Sequence, residues 1–162
     1  IQVDVAPGST ITYNGIAYDL LQFHFHHPSE HSVDGERADM ELHLVHRDQD
    51  SGNLAVVGVL LTMGEADNAA YAPIFDNLPA AEGESVDAGQ LEIATMLPES
   101  QTYFTYQGSL TTPPCSEIVR WLLLDTPVTL SAEQVAAFAD IFEMNARPVQ
   151  PRGNRDLLHD SN

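Results

Sequence analysis

A chain of 162 residues with 43% hydrophobic content is long enough for one domain with a packed core and too short for two, so residues 1–162 read as a single domain. Its 24 acidic residues stand against six basic ones, all arginine, and the net charge of -18 excludes nucleic acid and anionic membrane as partners of this surface. No apolar run approaches the roughly 20 residues of a membrane span, and the start lacks the basic, apolar and small-residue order of a signal peptide, so the chain reads as soluble as it stands.

In chain order, strand-like runs fall at "STITY" (9–13), "YDLLQFHFHH" (18–27), "ADMELHLVHR" (38–47), "NLAVVGVLLTM" (53–63), "QTYFTYQG" (101–108) and "EIVRWLLLD" (117–125), each bounded by Gly, Pro, Asn or Asp. "LAVVGVLL" does not alternate, which predicts a strand buried on both faces. Two helices are expected. The first, "ADNAAYAPIFDNL" (66–78), is weakened by Pro73; the second, "SAEQVAAFADIFEMN" (131–145), opens with Ser131 and Gln134 as a capping box ahead of Val135, Phe138 and Phe142. Residues 79–89 are acidic and rich in small residues, as in a surface loop, and the tail "NARPVQPRGNRDLLHDSN" is expected to be irregular. The fold class is mainly β with minor α.

Six of the seven histidines lie between residues 20 and 46. Side chains two apart on a strand share a face, so Gln22, His24 and His26 lie on one side of "LLQFHFHH" while Leu21, Phe23 and Phe25 lie on the other. The same rule groups Glu41, His43 and Val45, with Met40, Leu42, Leu44 and His46 opposite. If the two strands are neighbours, His24, His26 and His43 converge. Three neutral imidazoles with a fourth position open describe a catalytic zinc site, and nitrogen ligands favour Zn2+ over calcium or magnesium. Gln22 and Glu41 are placed to accept hydrogen bonds from the ligand rings.

The ordered blocks "QFHFH", "SEH", "ELHLVH", "LAVVGVLL", "GSLTTPPCSE", "RW" and "NARPVQPRGNR" resemble an α-class carbonic anhydrase of the bacterial type, over almost the whole chain from about residue 10 to 157. The resemblance implies a twisted, mostly antiparallel central sheet with a conical cleft, and His24, His26 and His43 as zinc ligands. It implies that Gln22 accepts from the first ligand and Glu41 from the third. Thr111 would orient the nucleophile and pass its own proton to Glu30, Thr112 would line the bicarbonate position, and Val45, Val56, Leu110 and Trp121 would form the apolar wall for carbon dioxide. Against the family pattern the chain is N-terminally truncated, lacking the segment with the proton-shuttle histidine; neither His27 nor His31 takes that role, and His31 is expected to be a buried hydrogen-bonding residue. Cys115 lacks the partner that the family places in that segment, and a free thiol or a bond between chains is expected. The exposed sheet edge is expected to be covered by self-association into a homo-oligomer.

The resemblance implies an enzyme, a carbonic anhydrase that reversibly hydrates carbon dioxide to bicarbonate, in a periplasmic or secreted location. The alternative is a zinc-bearing but weakly active or inactive fragment or binding module; generic metal storage fits poorly, because the histidines sit at strand spacing. The acidity itself serves solubility or, in a sharper reading, marks a saline or alkaline habitat.

Overall fold

The computed structural model describes residues 1–80 and 83–160. Eleven strands and two helices follow one another as β1 (Gln2–Asp4), β2 (Thr10–Tyr13), β3 (Ile16–His26), β4 (Ser32–Val33), β5 (Glu36–Arg37), β6 (Met40–Arg47), β7 (Leu54–Gly64), α1 (Ala72–Phe75), β8 (Tyr103–Gly108), β9 (Val119–Leu124), β10 (Val128–Ser131), α2 (Ala132–Ala139) and β11 (Leu158–Asp160). Nine strands form one mixed sheet in the order β1-β3-β6-β7-β9-β8-β11, with β2 also on β3 and β10 also on β7; β4 and β5 make a small hairpin. Pairing is antiparallel except where β7 meets β9 and β10. The sheet is thus mainly antiparallel, as expected.

Every strand expected from the pattern forms, and "LAVVGVLL" occupies the middle of the sheet. The long β7 pairs with β6 on one side; on the other, β9 takes its first half and β10 its second. All of its residues except Met63 are buried or half-buried, in keeping with its continuous apolar run.

The expected helices are shorter. Only Ala72–Phe75 of the first is helical, with Pro73 at its start, where a missing N–H costs nothing. The second carries the capping box of Ser131 and Gln134 but ends at Ala139, with Asp140 as its C-cap. The tail is not wholly irregular: Leu158–Asp160 adds an edge strand on β8, anchored where the Tyr103 hydroxyl donates to Asp160 at 2.9 Å. β1 and β10 were not marked by pattern either; they are three and four residues long, too short to show a period. No helix or strand occurs at residues 79–80 or 83–89, while Ala81 and Glu82 of the expected loop lie outside the described residues.

One residue departs from the strand alternation. The β3–β6 register shifts between Leu20 and Gln22, so Leu20 turns into the core at 4% exposure and Leu21, expected there, is 41% exposed. Beyond the bulge the alternation resumes, and Phe23 and Phe25 join Met40, Leu42, Leu44, Val59, Leu61 and the apolar faces of α1 and α2 in one core cluster. That cluster covers one face of the sheet. The other face carries the site.

Candidate metal centre

Register places the histidines. His24 pairs directly with His43 across β3 and β6, and His43 with Gly58 on β7, while His26 lies opposite Glu41. The ring centroids of His24, His26 and His43 stand 4.6 to 5.3 Å apart, and one nitrogen from each falls within 4.8 Å of the others.

The second nitrogen of each ring is tied back. His24 Nδ1 donates to Gln22 Oε1 at 2.8 Å, His26 Nδ1 to the Asn145 carbonyl at 3.1 Å, and His43 Nε2 to Glu41 Oε1 at 2.9 Å. Each acceptor is a carbonyl or carboxylate oxygen, so each of these ring nitrogens carries the proton. Left bare are His24 Nε2, His26 Nε2 and His43 Nδ1. His26 Nε2 is buried with no hydrogen-bond partner among the described residues, which is the state of a donor atom awaiting an electrophile. Burial, then the adjoining His43 and His26 rings, pushes His24 down to about 3, and burial followed by His43 lowers His26. These imidazoles are therefore neutral, as a metal requires. Donor type, number and spacing are those a Zn2+ ion takes, and His24, His26 and His43 could hold one.

Glu41 is the brace. It is fully buried on β6, and its four close donors are the rings of His31 (2.6 Å) and His43 (2.9 Å) on Oε1 and the N–H groups of Glu30 and His31 (both 2.9 Å) on Oε2. Burial alone would raise its pKa, but His31 and then His43 outweigh that and hold the carboxyl well below the usual range. Burial would lower His31, but the Glu41 carboxylate against its ring raises it, and its Nε2 shares a hydrogen bond with the Tyr106 hydroxyl at 2.6 Å. The expectation of a hydrogen-bonding His31 matches this geometry. A second potential donor set, His31, Glu41 and His43, is this same hydrogen-bonded network.

Gly58 makes room for the brace. A Cβ there would stand 2.9 Å from Glu41 Oε1 and 3.1 Å from Leu123 Cδ1, so only glycine lets β7 pass behind the carboxylate.

The apolar residues also assemble. Val45, Val56 and Trp121 lie side by side across β6, β7 and β9, all at most 8% exposed, with Leu110 packed against them. The loop partners are looser. Thr111 is half-buried and shares a cavity wall with Glu30, and Thr112 is exposed. Glu30 Oε1 accepts the Arg147 N–H at 2.7 Å, whereas Oε2 is buried without a hydrogen bond, 3.5 Å from His26 Nε2 and 3.9 Å from His43 Nδ1. The Thr111–Glu30 hydrogen bond implied by the resemblance is not made here. Glu30's free oxygen is instead turned to the histidines. Cys115, on the same loop, forms no disulfide among the described residues.

A family model for eukaryotic-type carbonic anhydrases matches residues 1–161. The chain belongs to this family. A carbonic anhydrase of Nostoc sp. is 48% identical over 160 residues, covering 98% of this chain and 60% of that protein, and one of Pectobacterium carotovorum is 42% identical over 98% of this chain and 65% of its own length. The chain thus spans less than two thirds of these curated relatives. Among solved structures, the α-carbonic anhydrase of Thermovibrio ammonificans in complex with the inhibitor sulfanilamide superposes with a TM-score of 0.92 at 37% identity, over 96% of this chain and 69% of that one. A hyperthermostable carbonic anhydrase from a hydrothermal vent chimney gives 0.91 at 42% identity, over 98% and 71%. The fold of this chain is that of the α-class members of the family.

Sequence pattern did not single out Asn145, Arg147 or Tyr106. The Asn145 carbonyl and the Arg147 N–H make the contacts to His26 and Glu30, and the Asn145 side chain fixes that segment by accepting from the His27 N–H at 2.7 Å and donating to the Phe25 carbonyl at 2.9 Å, long-range contacts that no local period announces. Tyr106 lies opposite Trp121 on β8, and that register is invisible until β8 and β9 are paired.

Proposed function

We propose that this chain binds one Zn2+ at His24, His26 and His43 and catalyses the reversible hydration of carbon dioxide to bicarbonate and a proton. The observation that carries the reading is the set of three converging bare ring nitrogens, each on an imidazole whose other nitrogen is hydrogen-bonded. Bound zinc would supply a Lewis acid strong enough to make water a nucleophile near neutral pH. Gln22, the Asn145 carbonyl and Glu41 fix the ring orientations and tautomers, so that no reorientation is needed to engage the metal.

Carbon dioxide is apolar and needs a dry wall more than it needs polar contacts. Val45, Val56, Leu110 and Trp121 supply one beside the histidines. Thr111 donates its hydroxyl proton to Glu30 and then can only accept from the nucleophile, which turns a lone pair towards the carbon; Thr112 lines the product's position. In this reading the loop bearing Thr111 closes onto the unpartnered Glu30 Oε2.

The reading is tested by following carbon dioxide hydration in stopped flow with a pH indicator, on chelator-stripped chain before and after adding zinc. Activity should return in proportion to zinc and level off at about one equivalent, the count of a single three-histidine site. Hydration that is equally fast without metal, or absent with a full equivalent bound, would contradict it.

A further inference from the structure

His26 is the last residue of β3, and the register with β6 ends there at Glu41. His24 and His43 lie inside their strands, with paired residues on both sides; His26 has no ladder ahead of it. Alternate residues of a strand offer their backbone groups to opposite edges, and Phe25 and His27 offer theirs to the edge away from β6. The Phe25 N–H goes to the Ile1 carbonyl at 3.2 Å. The next groups along this edge all go to Asn145. Its Nδ2 donates to the Phe25 carbonyl at 2.9 Å, its Oδ1 accepts from the His27 N–H at 2.7 Å, and its own N–H donates to the His27 carbonyl at 3.1 Å.

One side chain thus supplies what a neighbouring strand would otherwise give this edge. Residues 143–145 follow α2 with no helix or strand of their own, and these bonds tie them to β3. The His27 ring adds another tie, from Nδ1 to the Glu143 carbonyl at 2.9 Å. With both flanks of His26 gripped in this way, the Asn145 carbonyl lies 3.1 Å from His26 Nδ1, on the far side of the ring from the bare Nε2. A carboxamide fits the task because it carries a donor and an acceptor in one short planar group. Aspartate has acceptors alone, glutamine is one methylene longer, and alanine has neither.

We propose that the Asn145 carboxamide is a positioning group for the metal centre: by closing the end of β3 it aims the Asn145 carbonyl at His26 Nδ1 and so holds Nε2 of that ring towards the metal. The proposal rests on the three-histidine zinc reading and adds to it a side chain that touches no ligand ring. Without the carboxamide, the Phe25 carbonyl and the His27 N–H lose their partner, the backbone at residue 145 is released, and the His26 ring loses its fixed acceptor. A ring free to turn leaves a metal sooner than one held in place, so the effect belongs mainly to zinc release.

Zinc affinity is measured by competition with a chromophoric chelator at fixed pH, and zinc release by transfer to an excess of the same chelator. Asn145→Ala should weaken zinc about 10- to 100-fold, with most of the change in faster release. Asn145→Asp keeps the size and the acceptor for the His27 N–H but sets an oxygen against the Phe25 carbonyl; it should weaken zinc at least several-fold, and it serves if the alanine variant does not fold. The visible bands of the Co2+-loaded chain should shift in both variants, because they report ligand geometry and not stability. Asn68→Ala gives the comparison. Its carboxamide also ties loop backbone, donating to the Thr129 carbonyl at 3.0 Å and accepting from the Ala70 N–H at 3.1 Å, in the loop between β7 and α1. That variant should lower the urea midpoint and leave zinc affinity and the Co2+ bands unchanged. Folded Asn145 variants that hold zinc as tightly as the native chain, or an Asn68→Ala variant that loosens it equally, would overturn the proposal and leave the histidine site standing. A native chain that takes up no zinc would instead overturn the histidine site, and this proposal with it.

Discussion

The strand-held and loop-held halves of the site differ in how completely their polar groups are satisfied. On β3 and β6, His24, His43 and Glu41 sit at fixed register positions, and Glu41 alone has four donors at 2.6 to 2.9 Å. On the loop between β8 and β9, Thr111 has not engaged Glu30, whose Oε2 is buried and unpartnered. Register is a rigid specification, because slipping one residue turns every side chain to the other face. A loop held by few hydrogen bonds, here Leu110 N–H to the Ser116 carbonyl and Cys115 N–H to the Thr112 carbonyl, can adjust when a ligand arrives. Metal binding should therefore belong to the strands and turnover to the loop.

Substitutions can break that division. The largest effect is expected from Glu41→Ala, which leaves two rings and two backbone N–H groups buried without their acceptor. Stability to urea should fall by about 3–5 kcal/mol, and zinc affinity should drop about 10- to 100-fold. Thr111→Ala should do the opposite kind of damage, lowering hydration about 10²- to 10³-fold in stopped flow while zinc affinity and urea midpoint stay put. If Thr111→Ala lost metal in proportion to activity, the two halves would not be separable. Gly58→Ala is milder: the added methyl, 2.9 Å from Glu41 Oε1, should cost about 1–3 kcal/mol in urea and weaken zinc through the displaced brace. Gln22→Ala should be the smallest of the four, about tenfold in zinc affinity with little change in urea, because His24 is only partly buried and water can replace the lost acceptor. Equal losses for Gln22→Ala and Glu41→Ala would remove the reason for calling Glu41 the brace.

The same division governs how much the sequence disclosed. The period of two placed His24, His26 and His43 on common faces, and the non-alternating "LAVVGVLL" marked the central strand, since both signals repeat along a strand and accumulate. The bulge at Leu21 was hidden because a single extra residue leaves no period of its own; Leu20 and Leu21 are the same residue type, so composition could not say which turned inward. Asn145 and Arg147 were hidden for a different reason: they reach His26, His27 and Glu30 from a segment more than 100 residues away, and partly through backbone atoms that carry no residue-type signal. The brief strands β1, β10 and β11 depend on partners that the chain supplies elsewhere in the sheet.

The central claim is that three strand-borne imidazoles hold one metal ion. The most direct measurement is the zinc content, after exhaustive dialysis, of the native chain and of His26→Ala, determined together with protein concentration. About one equivalent should remain in the native chain, as a single three-histidine site implies, and the variant should fall towards zero because it removes the buried ring nitrogen that has no other partner. A folded His26→Ala variant that keeps a full equivalent of zinc would contradict the assignment.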